Sequence, residues 1–250
     1  MENSRIALIK SLVRRAETGV SPEYMEMARE SRIFTDWAAS LDPSFDVQGV
    51  TVTAVDFKGR NPSTESVMFV RLAVRTAGVP FDQVVELRGG TVVMLVVLRC
   101  EGVDYTVLVA QPRLPTGQAR LKEVPAGMLD DGQFSGKAAQ EIEEELGLVF
   151  AENELLDMTV FIYGDLNPEL YFSPGLLDER ARFFLARRKV TRAELTMLQG
   201  KSTGVGAEGE DIVLSVDLLS LMPTQVRDLK SIAAFWLYET VLAIEQRNAL

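Results

Sequence analysis

The sequence contains no histidine. That absence removes Ser-His-Asp and Cys-His catalysis, and with them imidazole as a metal ligand or general base. Cysteine is nearly absent too. Cys100 stands alone, so neither an intrachain disulfide nor a thiolate zinc cluster can form within one chain. A lone thiol in an apolar run is expected as a buried strand residue. No apolar run has the length of a membrane span; the longest, Thr91–Leu98, is strand length. Residues 1–15 are mildly basic and amphipathic but lack a signal-peptide core, and Glu2 and Glu17 argue against a transit peptide. The expected compartment is the cytoplasm. Positive charge is in deficit, with 26 Lys and Arg against 36 Asp and Glu and a net charge of −10. That sign disfavours nucleic acid or an anionic membrane as the main partner. It does not forbid a phosphate-bearing ligand, because a metal ion can supply local positive charge.

With these classes removed, acid–base chemistry near neutral pH falls to carboxylates, lysine, tyrosine or metal-bound water. The 250 residues suffice for one large domain or a domain with an elaboration. A hydrophobic share of 47% and a charged share of 25% are ordinary for a globular protein.

Periodicity predicts helices over Ile6–Arg15 and Pro22–Leu41, then strands over Val47–Phe57, Val67–Arg75 and Gln83–Leu87. Residues 1–88 thus form an amino-terminal helix-plus-antiparallel-sheet elaboration, and the apolar side of 22–41 suits packing either on the body or on a partner subunit. A composition break at Arg88-Gly89-Gly90 opens a second domain over 89–250. Two strands, Thr91–Cys100 and Tyr105–Ala110, flank a Glu101-Gly102 turn. Further strands are expected at Met158–Tyr163, Arg180–Arg187 and Ile212–Leu218, with a short helix at Arg192–Leu198. Thr224 is expected to cap a final helix with a core-facing stripe of Leu229, Ile232, Ala233, Trp236, Leu237, Val241 and Ile244. Strands and helices mix without regular alternation, so the class is α+β rather than a doubly wound sheet.

The densest charge lies in residues 121–148, which predict a strand, a glycine-rich loop and an acidic helix. Ser135 is a candidate N-cap, and Gly147 a left-handed stop. Glu141, Glu143, Glu144 and Glu145 lie between them. At about 100° per residue, Glu141, Glu144 and Glu145 share one face, with Ala139, Ile142 and Leu146 broadly opposite. Like charges so placed repel. One remedy is a hard cation: Mg²⁺ takes oxygen ligands from a few carboxylates plus water and substrate phosphate. The other is solvent, as on any acidic helix face. The spacing alone does not choose between them.

The flanking residues supply a resemblance. Gly127–Leu148 resembles the Nudix box, whose second half here is Gln140-Glu141-Ile142-Glu143-Glu144-Glu145-Leu146-Gly147-Leu148. Pro112–Gly117, Glu123–Asp131, Ser173-Pro174-Gly175 and Gly209-Glu210-Asp211-Ile212 resemble the branch that hydrolyses ADP-ribose and ADP-sugars, over about residues 45–245. Two departures are visible. Gln140 replaces the usual arginine, and the spacing from Gly127 to Glu141 is one residue short. The resemblance implies a Nudix-type α/β/α sandwich of mixed sheet, with the amino-terminal elaboration in a homodimer contact. It implies Mg²⁺, with Mn²⁺ as a substitute, held by Glu141, Glu145, Glu144 and the Ala126 carbonyl. It places Glu210 and Glu208 where the branch supplies a metal-binding or general-base glutamate, and Arg113 and, more weakly, Glu179 against the substrate. The implied reaction is hydrolysis of a nucleoside diphosphate sugar to a nucleoside monophosphate and a sugar phosphate. The two departures motivate a second reading, a non-catalytic Nudix-fold module that binds a nucleotide or a protein. A decapping hydrolase is disfavoured, since RNA needs a basic path.

Overall fold

The computed structural model describes residues 2–16, 19–129, 134–164, 166, 168–203 and 211–249. The chain forms two compact units, 1–89 with 171–180, and 90–170 with 181–250. Among the described residues, no helix is long and apolar enough to cross a membrane.

The first unit contains α1 (Glu2–Leu12), β1 (Val13–Ala16), α2 (Pro22–Glu30), α3 (Arg32–Ser40), β2 (Val47–Phe57), β3 (Val67–Thr76) and β4 (Gln83–Leu87). Its sheet has the order β1-β2-β3-β4, with β1 parallel to β2 and the remaining pairs antiparallel. The helix expected through Arg15 stops at Leu12, and the chain joins the sheet instead. The helix expected over Pro22–Leu41 is two helices, broken at Ser31. Extended at φ −65° and ψ 154°, Ser31 closes α2 through its N–H and opens α3 through its hydroxyl, which accepts from Phe34 N at 3.4 Å. Hydroxyl capping of free first-turn amides makes such a break cheap. The break turns Ile33, Phe34, Trp37 and Ala38 onto alternate residues Val50, Val52, Val70 and Leu72 of the sheet. A strip from the 171–180 segment runs along β4: Glu86 N donates to Leu176 O at 2.8 Å, and Asp178 N donates to Glu86 O at 3.2 Å.

The second unit carries β5 (Gly90–Cys100), β6 (Val103–Arg113), β7 (Gln118–Glu123), β8 (Ala126–Met128), α4 (Phe134–Leu146), β9 (Leu155–Asp157) and α5 (Met158–Tyr163). It continues with β10 (Leu170–Tyr171), β11 (Arg180–Lys189), α6 (Arg192–Leu198), β12 (Ser202–Thr203), β13 (Ile212–Leu218), α7 (Met222–Gln225) and α8 (Leu229–Asn248). The sheet path is β10-β11-β5-β6-β13-β12, with β7 beside β6, β8 beside β5 and β9 beside β11. Positive φ at Glu101 (51°) and Gly102 (83°) turns β5 into β6 tightly, as two-residue hairpins require. Central β5 is buried on both faces, which explains its unbroken apolar run. Even-numbered Val92, Met94, Val96, Leu98 and Cys100 share a core with α4 and α6, while α8 also packs on β5. The α+β class is the observed one.

Three expectations fail locally. Met158–Tyr163 is a helix, not a strand: Asp157 accepts from Val160 N at 2.9 Å and starts a helical turn directly after β9. Apolar content cannot separate a six-residue strand from a buried turn of helix. The final helix is capped by Asp228, which accepts from Ser231 N at 2.9 Å, and Thr224 lies in the separate α7. The apolar stripe on α8 is also rotated. Ser231, Ala234, Leu237, Tyr238 and Val241 are buried, while Leu229 and Trp236 are 67% and 63% exposed. A helix apolar on nearly every side does not declare which side faces inward.

Candidate active site

Helix α4 is oriented by Ala138, Ile142 and Leu146, three fully buried residues one turn apart. The inward face therefore uses Ala138 rather than the expected Ala139. Ser135 lies inside the first turn, since the helix begins at Phe134. Beside the buried stripe, Glu141 and Glu145 are also turned inward, at 9% and 6% exposure. Glu143 and Glu144 face solvent. Glu144 accepts from the Gln140 amide at 2.7 Å, so the residue that replaces the usual arginine still holds a helix carboxylate, without an ion pair.

Strand β8 lies against this face. Ala126 and Gly127 pair with Val93 and Val92 of β5, which fixes β8 on the sheet. A Cβ added to Gly127 would fall 2.0 Å from both Cδ and Oε1 of Glu141. Only glycine leaves room for the carboxylate there. Lys137, one turn before Glu141, places its ammonium 2.7 Å from Glu141 Oε1, with both side chains nearly covered. At the far end, Gly147 has φ +67° and its N–H closes the helix on Glu143 O at 2.9 Å. The Lys201 ammonium lies 2.7 Å from where a Gly147 Cβ would be, a favourable place for a cation at a helix C-terminus. Thr203 donates its hydroxyl to the Glu145 carbonyl. Glu208 and Glu210 lie outside the described residues.

Arg113 ends β6 and forms a forked pair with Glu123 on neighbouring β7, at 2.6 and 3.3 Å. Glu123 is 2% exposed. Its second oxygen also takes the ammonium of Lys230 from α8, which bonds Asp228 at 2.9 Å. Arg113 is thus clamped by a buried carboxylate, in the planar geometry that a guanidinium favours. Next to Glu123, Val124 N donates to the buried Ser231 hydroxyl at 2.9 Å, locking the approach to β8.

Glu179 belongs to the first unit. It is buried and pairs with Arg88 Nη1 at 3.2 Å, while that guanidinium also lies 5.7 Å from the Phe69 ring centre. Its neighbour Asp178 accepts from the N–H groups of Arg88 and Gly89 at 2.6 and 3.0 Å. Burial pushes the Asp178 carboxyl above the usual carboxylate range, against those two hydrogen bonds. Asp178 Oδ2 is buried and accepts no hydrogen bond among the described residues.

The structure therefore brings Ala126, Glu141 and Glu145 to one face, turns Glu144 outward and puts Glu179 in the other unit. Among the described residues, no cluster of three or more His, Cys, Asp or Glu side chains forms a ready metal cage. The donor set still suits a hard cation. Mg²⁺ is commonly held by one or two carboxylates, with water and substrate phosphate completing its shell. Gly127 leaves the space that the Glu141 carboxylate occupies. Lys137, Glu123 and Lys230 were not among the expected site residues. The i,i+4 spacing of Lys137 and Glu141 is a visible signal. The Lys230–Glu123 contact spans 107 positions and has no local signature.

No family model matches the chain. It is similar to a solved structure described as that of an ADP compounds hydrolase, at 16% identity and a TM-score of 0.49, covering 81% of this chain and 98% of that one. It is 32% identical over 238 residues to Nudix hydrolase 14, chloroplastic, from Arabidopsis thaliana, an alignment that covers 90% of this chain and 75% of that protein. On that sustained identity, the chain belongs to the Nudix hydrolase family.

Proposed function

We propose that this hydrolase cleaves the diphosphate bond of a nucleoside diphosphate sugar, of the ADP-glucose, UDP-glucose or ADP-ribose type. One water adds across the bridge, giving a nucleoside monophosphate and a sugar phosphate. The observation that carries the reading is the inward-turned pair Glu141 and Glu145 against β8, with Gly127 cleared for the first of them. A divalent ion bound there would neutralise the diphosphate and polarise its phosphorus. In this reading Glu141 and Glu145, with the Ala126 carbonyl, hold Mg²⁺ or Mn²⁺, and Glu144 contributes through its outer position. Glu210, or Glu208 beside it, takes the proton of the attacking water. The segment that carries both begins next to Thr203, which is tied to the Glu145 carbonyl. Arg113, held by Glu123, contacts the diphosphate or sugar.

The test is turnover of ADP-ribose, ADP-glucose and UDP-glucose with Mg²⁺, wild type beside Glu145→Gln. The variant is expected to lose on the order of a hundredfold in kcat, the scale of one lost charge-stabilising group. Unchanged turnover would remove Glu145 from the site. Gln140, bonded to Glu144 without an ion pair, favours a second reading, a nucleotide-binding module. Calorimetric binding of a nucleotide sugar with no turnover of any of the three would select it.

A further inference from the structure

Lys137 is oddly placed for a helix-stabilising lysine. It is the fourth residue of α4, within the first turn, where the helix dipole disfavours positive charge. It precedes its acidic partner at i,i+4, the weaker of the two orders for such a pair. Lysines usually keep their ammonium in water, yet this side chain is only 12% exposed. Its contact with Glu141 nevertheless holds at 2.7 Å. Dipole, pair order and solvation all argue against a cation here. What favours it is the negative charge of the inward face, where Glu145 follows Glu141 one turn on.

We propose that Lys137 is a resident counter-ion of the metal site: its ammonium occupies Glu141 until a divalent cation displaces it. This rests on the reading that Glu141 and Glu145 bind metal. The ammonium donates to Glu141 Oε1, an oxygen that a metal would need, so the two cations compete for one group. A divalent ion brings twice the charge and can engage both carboxylates. A lysine has a flexible four-carbon stem and can withdraw without moving the helix. Binding by the metal-free protein is therefore weakened by the energy of the Lys137–Glu141 contact.

The experiment is calorimetric titration of the full chain with Mn²⁺ and with Mg²⁺, without nucleotide, comparing wild type, Lys137→Met and Glu141→Gln. Lys137→Met keeps the apolar stem and removes the competitor. It is expected to bind Mn²⁺ about tenfold more tightly, the scale of one lost charge-assisted hydrogen bond. Its melting temperature should fall without metal and recover with Mn²⁺ by more than that of wild type. Equal affinity in wild type and Lys137→Met would overturn the counter-ion role alone. Equal affinity in wild type and Glu141→Gln would overturn the metal-site reading beneath it. Should Lys137→Met fail to fold, amine methylation of the wild type followed by peptide mass spectrometry decides the matter. Lys137 should react several-fold faster with saturating Mn²⁺ than without, once its ammonium has left Glu141, and an unchanged rate would overturn the proposal.

Discussion

Two buried carboxylates in the second unit solve the same problem in opposite ways. Glu123 is gripped by two cations, the Arg113 guanidinium and the Lys230 ammonium, and Lys230 is shared with Asp228. Glu141 meets Lys137 and has a like-charged carboxylate one turn on. Both glutamates are removed from water, which is costly for an ion unless charge and hydrogen bonds compensate it. The two cations on Glu123 tie β6, β7 and α8 together, whereas Glu141 lies beside a second inward-turned carboxylate, Glu145, as the proposed metal site needs. Location alone would not separate them, since both lie next to β8 in sequence or space.

That contrast is breakable. Glu123→Ala should cost the most stability, about 3 kcal/mol, because it leaves two cations crowded in a partly buried place. Denaturant unfolding of the full chain measures it, and a loss below the usual scatter of surface substitutions, about 0.5 kcal/mol, would show that the clamp is not structural. Gly127→Ala should cost less, about 1–3 kcal/mol from overpacking, but should disable the site. Its new Cβ would overlap Glu141, so metal affinity should fall even where the fold survives. An alanine variant with wild-type Mn²⁺ binding by calorimetry would show that the close approach is not needed.

A half-buried carboxylate of the first unit sharpens the contrast at the smallest scale. Asp178 is compensated mainly by two backbone N–H groups, and burial raises its pKa. A carboxyl whose folded pKa is raised contributes stability that is complete below its unfolded value, about 3.9, and is lost as pH rises through the folded value. Asp178→Asn imitates the neutral form at every pH. Its stability relative to wild type should therefore be greater at pH 7 than at pH 4, by denaturant midpoints at both. A gap that is the same at both pH values would show that Asp178 titrates as it does in the unfolded chain.

What the sequence declares follows the same division between local and distant causes. The acidic helix, its Gly147 stop, the Glu101-Gly102 hairpin and strands β2, β3 and β4 of the first unit are legible because each is set by neighbours within a few residues, whereas β1 falls where a helix is expected. The α5 turn is not, because Val160, Phe161 and Ile162 suit either state and Asp157 decides between them. Nor is the exposed side of α8, since Trp236 looks as apolar as Leu237 and only the sheet against which they pack distinguishes them. At the site, carboxylate spacing groups Glu141, Glu144 and Glu145 but does not tell that Glu144 turns outward, whereas the clamp on Arg113 joins three elements and is visible only once they are folded. The role of Gly127 lies between: its type is evident, but its reason is a side chain fourteen positions later.

The strip at 176–178 carries a consequence for anyone dividing the gene. The amino-terminal unit is not a contiguous stretch of chain, because it recruits residues 171–180. Translation that stopped at residue 89 would yield every helix and strand of its sheet while leaving Glu86 without the Leu176 and Asp178 backbone partners it has in the whole protein. Val84, already 51% exposed on the same strand, would then flank an open row of amides and carbonyls. Such an edge is a template for another strand. A truncated product of that length is expected to self-associate, and adding the 171–180 sequence back as a separate peptide should restrain it.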